Sequence, residues 1–417
     1  MDIEIVTIGD ELLLGFTLDT NAAHLARELA AIGVRITRRT TVGDAPGDIA
    51  AAVRAGLDRA GAVITTGGLG PTSDDLTKPS IAALFGRGMH LDEEHAEWMR
   101  ARWRSRWGKE MPAANLQQAS IPDGARKLRN DHGSAPGIWL EDERGRWVAM
   151  LPGVPSEMRG MLADALLPLL RERAGGAVVR SLTLSTTGVA ESLLADRVKA
   201  IDEDLGAVKM AYLPGIEGVD LRLTMRAPSL AEADEALHAA AARLRAVLGA
   251  DVYGEGATDL AAVVLDACRA RGLTIAVGES CTGGLLGARL TAVSGSSDVV
   301  LGGVIAYANA VKEELLGVAA EVLATHGAVS EPVARAMASG ARARTGARIG
   351  VGITGVAGPT GGTSEKPVGT VWIATDLDGA VEARLFRLWG NREEVRQRSA
   401  QWAMDLVRRR LLDSPHG

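Results

Sequence analysis

Runs of apolar and β-branched residues alternate with amphipathic segments through the first part of this 417-residue chain. Residues 3–8, 35–43 and 62–68 are short runs that predict strands, and residues 21–33 have the periodicity of a helix that ends at a glycine. Strands that alternate with helices are typical of a mostly parallel sheet with helices on both faces. The pattern therefore predicts a doubly wound α/β domain over residues 1–172.

The pattern changes in kind after a charged segment at residues 171–177. Residues 177–252 combine two or three predicted strands with two helices, which is typical of a small α+β module, and we expect it to be a spacer or a dimerisation module. Residues 255–414 again alternate strands with helices, so the sequence predicts a second α/β domain there. Thr258 is the expected N-cap of the first helix of that domain, and Ser330 is the expected N-cap of a later one.

The charge balance narrows the classes of function. The chain has 46 basic and 52 acidic residues and a formal net charge of -6, which argues against nucleic acid as its main ligand. Residues 97–108 interleave tryptophan with arginine, a pattern that favours an amphipathic surface helix or a subunit contact over base stacking. The sequence has no long uncharged apolar stretch and its first residues are acidic, so we expect a cytoplasmic protein without membrane binding.

A glycine-rich segment at residues 65–79 follows the third predicted strand, at the edge where doubly wound sheets bind ligands. Its backbone N–H groups can form an anion-binding nest, and carboxylates beside such a nest suit a divalent cation that bridges a diphosphate. The expected phosphate-binding residues are Gly67, Gly68, Gly70 and Thr72, and the expected metal ligands are Asp74, Asp75, Asp10 and Glu11. A tight strand-to-helix turn without a ligand is the alternative.

A second candidate site follows a predicted strand of the C-terminal domain, in the segment VGESCTGGLLG at residues 277–287. Ser280 is the candidate nucleophile, because N–H groups that open a helix can stabilise an oxyanion. A serine needs a base, and Lys312, which follows the next predicted strand, can serve if burial lowers its pKa. A helix N-cap for Ser280 and a solvated position for Lys312 remain open, and Cys281 is the rival nucleophile.

The glycines around Ser280 and a long glycine-rich loop at residues 355–369 complete the expected substrate site. Glycine allows close approach of a ligand to the backbone, so this loop can wrap a nucleotide phosphate or act as a mobile lid. The expected substrate-binding residues are Glu279, Thr282, Gly283, Gly284, Gly355, Gly358, Gly361 and Lys366.

The motifs of the first domain resemble those of a known family. TGGLGPTSDDLT is similar to the signature of the molybdopterin-binding fold that molybdenum-cofactor enzymes share with the CinA family, and NDHGSAPG and LPGVPSEM also resemble CinA-type loops. The resemblance extends over essentially the whole chain. It implies that Asp75 takes part in metal and phosphoryl chemistry, since some family members hydrolyse ADP-ribose with a divalent cation.

The motifs of the last domain are similar to those of the nicotinamide mononucleotide deamidase domain. They are AVGESCTGG, AYANAVK, HGAVSEPV, TGVAGPTGGTSEKPVGTVW and the arginine-rich terminal helix. The resemblance implies that Ser280 and Lys312 form the catalytic pair and that no cofactor is required for deamidation. It also implies that Tyr307 and Asn309 orient the amide or relay a proton.

Two functions from different classes are consistent with the sequence. The first is a homodimeric enzyme of pyridine nucleotide salvage, which deamidates nicotinamide mononucleotide and hydrolyses ADP-ribose with a divalent metal ion. The second is a non-catalytic partner of DNA-uptake or recombination proteins. The acidic balance and the two glycine-lined clefts favour the enzyme.

Overall fold

A computed structural model describes residues 1–173 and 178–413, and the chain divides into two compact units. One unit comprises Met1–Arg180 with Arg226–Glu235, and the other comprises Ser181–Met225 with Ala236–Gly417. The expected boundary near residues 171–177 and the expected end of the last domain at residue 414 both include residues outside the described ranges. Within those ranges, no helix is long and apolar enough to cross a membrane.

The N-terminal part is built on a six-stranded sheet of order β2-β1-β3-β8-β7-β6. Its elements in chain order are β1 (Asp2–Ile8), α1 (Asp10–Leu13), α2 (Thr20–Ala31), β2 (Arg35–Val42), α3 (Pro46–Ala60), β3 (Ala62–Thr66), α4 (Thr77–Leu84), β4 (Met89–Leu91), α5 (Glu93–Trp107), β5 (Ser120–Pro122), β6 (Arg126–Leu128), β7 (Gly137–Glu141), β8 (Trp147–Leu151), α6 (Pro155–Met161) and α7 (Leu167–Arg173). The four strands β2, β1, β3 and β8 are parallel, and β7 and β6 continue the sheet in antiparallel pairing.

Alternate residues of β1 supply the cores on the two faces of this sheet. Ile3 and Ile5 belong to one buried apolar cluster, and Val6 and Ile8 belong to another. Helices therefore cover both faces, which confirms the predicted doubly wound, mostly parallel sheet. Strand β2 lies on one side of β1, and β3, which follows β2 in the chain, lies on the other side. The loops after β1 and β3 are therefore next to each other at a topological switch point.

The middle module is a four-stranded sheet of order β10-β11-β9-β12 with two helices. Its elements are β9 (Val178–Thr186), α8 (Glu191–Asp202), β10 (Lys209–Pro214), β11 (Val219–Ala227), α9 (Leu230–Leu248) and β12 (Val252–Glu255). Residues of both helices share one buried cluster with the strands, among them Leu194 of α8, Leu221 of β11 and Leu244 of α9. The module is thus α+β, as predicted.

The C-terminal part has a five-stranded sheet of order β14-β13-β15-β16-β17. Its elements are α10 (Leu260–Arg269), β13 (Ile275–Glu279), α11 (Leu285–Thr291), β14 (Val300–Ile305), α12 (Asn309–Leu316), α13 (Ala320–His326), α14 (Glu331–Thr345), β15 (Ile349–Gly355), β16 (Thr370–Leu377), β17 (Ala380–Arg387) and α15 (Arg392–Asp413). Strands β14, β13 and β15 are parallel, whereas β16 and β17 are antiparallel. This arrangement confirms the predicted second α/β domain.

The two expected helix caps differ from the prediction. Asp259 directly precedes α10 and accepts a hydrogen bond from the amide of Ala261, whereas the Thr258 hydroxyl donates to the carbonyl of Glu255. Thr258 was therefore the wrong cap, because it lies one residue too early to face the first turn. Ser330 does occupy the N-cap position of α14, but its hydroxyl donates to the Gly327 carbonyl and accepts no hydrogen bond from the amides of the first turn.

A buried ionic network attaches α15 to the end of the middle module. Asp405 is fully buried and accepts from Arg408 at 2.6 Å and from Arg409 at 2.7 Å. Arg408 also donates to the carbonyl of Ala250, and Arg409 donates to Asp251 at 2.8 Å. The network fixes the C-terminal half of the helix whose first turn reaches the candidate site described below.

We expect Asp405→Asn to lower the free energy of unfolding by about 3 kcal/mol, because it leaves the buried guanidinium of Arg408 without its carboxylate. Urea denaturation followed by circular dichroism measures this change. Asp298→Asn is the matched control, since Asp298 pairs with Arg269 on the surface and its loss should be much smaller. Equal, small losses in both variants would contradict the role given to Asp405.

Candidate active site

Ser280 lies at the centre of the C-terminal sheet, directly after β13. Strand β13 pairs in parallel with β14 on one side and β15 on the other, so Glu279 lies opposite both Ile305 and Ile353. The amide of Ser280 donates to the carbonyl of Ile353 at 2.9 Å, and the residue is 9% exposed. Ser280 therefore follows the middle one of three parallel strands, at the edge where ligands bind in such sheets.

The buried carboxylate of Glu279 fixes the start of α11. It accepts hydrogen bonds from the amides of Gly284, Leu286 and Gly287 at 3.1, 3.0 and 2.8 Å. A negative charge at a helix N-terminus is stabilised by these donors and by the helix dipole. Glu279 is therefore engaged by its own helix, and the amides of Gly284, Leu286 and Gly287 are not free to hold an oxyanion. Its assignment as a substrate-binding residue stays a prediction.

Two amides remain for that purpose in the turn between β13 and α11. Among the described residues, the N–H groups of Cys281 and Thr282 have no hydrogen-bond acceptor, whereas Gly283 donates to the Ser280 carbonyl at 3.1 Å. Thr282 is fully buried, its hydroxyl has no partner in the described ranges, and its carbonyl accepts from Arg396 at 3.0 Å. The turn thus offers two adjacent amide donors next to Ser280.

Lys312 is buried beneath the loop that follows β14. Strands β13 and β14 are neighbours, as the catalytic hypothesis required, and the Ala306 amide donates to the Glu279 carbonyl at 2.7 Å. The Lys312 side chain is 1% exposed and its Nζ donates to the Tyr307 carbonyl at 3.2 Å. Burial lowers the pKa of Lys312 below its ordinary value, so more of the amine is neutral near pH 7. A solvated position for this lysine is excluded.

Cys281 is a poor candidate nucleophile in this position. Its side chain is 6% exposed, and burial raises the pKa of its thiol to about 12, an effect that the nearby Arg392 and Lys312 only partly oppose. A thiol attacks as the thiolate, which is scarce near neutral pH at such a pKa. Lys312 nevertheless lies near enough to Cys281, in the turn that holds Ser280, for each of the two groups to affect the pKa of the other.

Arg392 connects three parts of the site. It lies in the first turn of α15, and its guanidinium donates to the Tyr307 hydroxyl and to the Gly358 carbonyl, both at 2.8 Å. Tyr307 itself is 61% exposed, so its ring lines the open side of the site. Arg392 and Arg396 are functional residues that sequence reasoning missed, and the one signal for them is their one-turn spacing at the start of a helix.

The remaining predicted residues divide between the site and the scaffold. Asn309 is exposed at the first position of α12, and Gly361 lies exposed in the long loop. Gly355 ends β15, where a Cβ would lie 2.7 Å from a backbone carbonyl of β16. Lys366 donates to the His326 carbonyl at 2.9 Å and so ties the loop to α13, and its expected contact with a phosphate stays a prediction.

The glycine segment of the first domain packs tightly against the end of β1. Gly67 and Gly68 have φ values of +112° and +65°. A Cβ would lie 2.1 Å from the Ile8 carbonyl oxygen at Gly67 and 2.2 Å from the Thr77 hydroxyl at Gly68. Only glycine fits these two positions. This close packing is consistent both with a tight strand-to-helix turn and with a ligand-binding nest.

Asp75 serves the conformation of this loop. Its carboxylate accepts from the Thr72 amide at 2.8 Å and also from the Thr72 hydroxyl, and it lies beside Gly70. The next helix contributes Lys78, a residue that sequence reasoning missed. Lys78 is 2% exposed, donates to the carbonyls of residues 117 and 118, and has its pKa lowered to about 8 by burial, which Asp75 partly opposes.

The other acidic residues gather across the crevice, together with one that was not predicted. The amides and carboxylates of Asp10 and Asp44 bond reciprocally, at 3.1 and 3.3 Å. Burial raises the pKa of Asp44, and the charges of Asp10, Glu11 and Asp74 contribute to the rise. These four carboxylates are hard oxygen donors of the kind that divalent cations prefer. However, no three acidic, histidine or cysteine side chains of the described residues converge closely enough to hold a metal ion.

Comparisons with known proteins match the chain in three successive parts. Residues 4–172 match the family described as probable molybdopterin binding domain, residues 181–254 the damage-inducible protein CinA KH domain, and residues 257–411 the CinA C-terminal domain. A CinA-like protein from Gemmatimonas aurantiaca is 62% identical over 411 residues, which cover 98% of this chain and 96% of that protein. A CinA-like protein from Desulfovibrio desulfuricans is 44% identical over 420 residues, which cover 100% of this chain and 97% of that protein.

Among solved structures, the chain is similar to the competence/damage inducible protein CihA from Agrobacterium tumefaciens. The two are 41% identical, and the match covers 37% of this chain and 94% of that one, with a TM-score of 0.36.

We expect Glu279→Gln to lower the free energy of unfolding by about 2 kcal/mol, because the amide replaces a charged acceptor with a group that presents N–H donors to N–H donors. Chemical denaturation measures the loss. Glu331→Gln is the matched control, since Glu331 also lies in the first turn of a helix but is only half-buried and pairs with Arg335. If both variants are equally stable, Glu279 does not fix the start of α11.

Proposed function

This chain belongs to the CinA family, and from that membership and the placement of Ser280 and Lys312 we propose that its C-terminal domain is an amidohydrolase that converts nicotinamide mononucleotide to nicotinate mononucleotide and ammonia. One observation carries the proposal. A buried lysine with a lowered pKa and a serine in a turn with free amides follow neighbouring parallel strands. A serine–lysine pair of this kind suits acyl transfer.

In the proposed reaction, the Ser280 hydroxyl attacks the carboxamide carbon while the neutral Lys312 amine takes its proton. The amides of Cys281 and Thr282 stabilise the negative charge that develops on the carbonyl oxygen. The protonated Lys312 then donates to the departing ammonia, which leaves an ester on Ser280. Water, deprotonated by Lys312, hydrolyses that ester to the carboxylic acid. The net reaction consumes one water and releases one ammonia.

Arg392 is suited to bind the phosphate of the substrate, and the Tyr307 carbonyl is suited to orient the Lys312 amine. The Tyr307 carbonyl accepts from Nζ of Lys312, while the Tyr307 hydroxyl accepts from Arg392. The single phosphate of the substrate matches the guanidinium of Arg392, which lies near an exposed aromatic ring. The deamidase chemistry needs no cofactor, because the proton transfers and charge stabilisation are all assigned to protein groups.

Ser280→Ala should reduce ammonia release by at least about a thousandfold, because it removes the attacking atom. Tyr307→Phe should cost less, since it removes one hydroxyl contact and leaves the carbonyl that holds Lys312. A coupled ammonia assay with purified full-length protein measures both. Ser296→Ala, a buried serine of the same domain, is the control and should retain activity. Near-normal turnover in Ser280→Ala would overturn covalent catalysis, and absence of turnover in the unaltered protein would favour the non-catalytic partner.

The rate should rise with pH as Lys312 loses its proton, because only the neutral amine can act as the base. Burial lowers the pKa of Lys312, so the midpoint should lie below the ordinary lysine value of 10.5. The pH profile of kcat/KM measures this midpoint. Lys312→Arg keeps a positive charge that does not titrate in this range, and it should be inactive at every pH. A flat profile in the unaltered protein would contradict Lys312 as base.

We also propose a second activity, metal-dependent hydrolysis of ADP-ribose, for the N-terminal domain. The close-packed glycine loop and the carboxylates of Asp10, Glu11, Asp44 and Asp74 lie at the switch point of its sheet. No three of the described acidic side chains converge on one point, so a divalent cation would be held here by one or two carboxylates together with the diphosphate, whose charge it would neutralise. The backbone amides of the glycine loop would donate to the phosphate groups. The turn of that loop is stabilised by the hydrogen bond from the Thr72 amide to the Asp75 carboxylate.

Asp75→Asn should abolish hydrolysis of ADP-ribose and leave ammonia release from nicotinamide mononucleotide intact, since the two sites lie in separate domains. Product analysis by chromatography, with and without added magnesium or manganese, measures the first activity. Asp92→Asn is the control, because Asp92 caps a helix elsewhere in the domain. Hydrolysis that needs no metal, or full activity in Asp75→Asn, would refute this second activity.

A further inference from the structure

A cleft of about 470 Å³ lies between the middle module and α15, away from the turn that holds Ser280. One wall is formed by residues 187–191 and by the loop 214–219, and the other by Trp389 and the residues Arg398, Gln401 and Trp402 of α15. Its volume falls within the usual range for small-molecule sites. The two walls are joined by the hydrogen bond from Gln401 to the Thr187 hydroxyl, at 3.3 Å.

The cationic group in this cleft, Arg398, has no anionic partner among the described residues. The Arg398 guanidinium stacks over the Trp389 ring at 4.2 Å, and among the described residues Arg398 makes no ion pair and its buried Nε has no hydrogen-bond acceptor. An unsatisfied buried N–H of a charged group is costly. Because the Arg398 side chain as a whole is only half-buried, the other N–H groups of its guanidinium are available to an anion that enters the cleft.

A second set of donors opens onto the same cleft. Helix α8 begins after Ala190, which lines the cleft, and no side chain caps it. The first amides of a 12-residue helix attract an anion, phosphate above all. Of the two acidic residues in the lining, Glu217 is already paired with Arg289 at 3.1 Å, whereas Glu191 is exposed and open to hydroxyl groups.

The aromatic residues define the rest of the ligand. Trp389 is 68% exposed although its face is already used by a cation, and Trp402 packs on Phe386 with a ring separation of 4.6 Å. Exposed tryptophan faces bind planar rings. A planar ring, vicinal hydroxyls for the Glu191 carboxylate and one anionic group together describe a nucleotide.

We propose that this cleft is a binding site for a nucleoside monophosphate, separate from the site of Ser280. The base stacks on Trp389, the phosphate binds Arg398 and the free amides of α8, and the ribose lies toward Glu191. The site does not depend on deamidation, so it stands or falls independently of the proposed function.

Isothermal titration of the full-length protein with AMP tests the proposal, because AMP carries no carboxamide and is not a deamidation substrate. We expect saturable binding that weakens about tenfold or more in Arg398→Gln and in Trp389→Ala. Adenosine should bind more weakly than AMP and should be insensitive to Arg398→Gln, because it has no phosphate.

Two matched controls locate the site. Trp98→Ala removes another exposed tryptophan that is stacked with an arginine, Arg102, on helix α5, and should leave AMP binding unchanged. Ser280→Ala should also leave it unchanged. Absence of saturable AMP binding, or binding that Trp389→Ala and Arg398→Gln do not weaken in folded protein, would overturn the proposal. Tighter binding of a single-stranded oligonucleotide than of AMP would replace the mononucleotide with a nucleic acid strand.

Discussion

The carboxylate of Glu279, buried against the amides that begin α11, is the constraint on which the candidate active site depends. A buried carboxylate is costly unless donors surround it, and here three backbone N–H groups and the helix dipole do so. These bonds fix the direction of the chain as it leaves β13. Ser280 is consequently held in the turn between strand and helix, with the amides of Cys281 and Thr282 left for a ligand.

Lys312 is the electrostatic counterpart of Glu279, because its environment favours the neutral form. It is as deeply buried, but among the described residues its side chain has one hydrogen bond, to the Tyr307 carbonyl, and no carboxylate partner. Burial therefore lowers its pKa, whereas Glu279 keeps a full set of donors. The neutral amine of Lys312 is suited to act as a general base, whereas the carboxylate of Glu279 holds the start of α11.

The sequence was sufficient for the sheets and for the positions of Ser280 and Lys312, because strand periodicity and glycine turns are local signals. It was insufficient where contacts join distant segments. Arg392 reaches Tyr307 across 85 residues, and Asp44 joins Asp10 across 34, so neither contact has a local signature. Glu279 and Lys366 were expected to contact substrate, but tertiary structure gives each a backbone partner that spacing alone does not reveal.

The central claim is that Ser280 forms a covalent ester with Lys312 as its base. Acid quenching of the protein during turnover of nicotinamide mononucleotide, followed by peptide mass spectrometry, tests it most directly. We expect an acyl adduct on Ser280 that appears with substrate, decays when substrate is exhausted and is absent in Lys312→Arg. Normal turnover with the adduct on Cys281, or with Ser280 unmodified at every quench time, would contradict it.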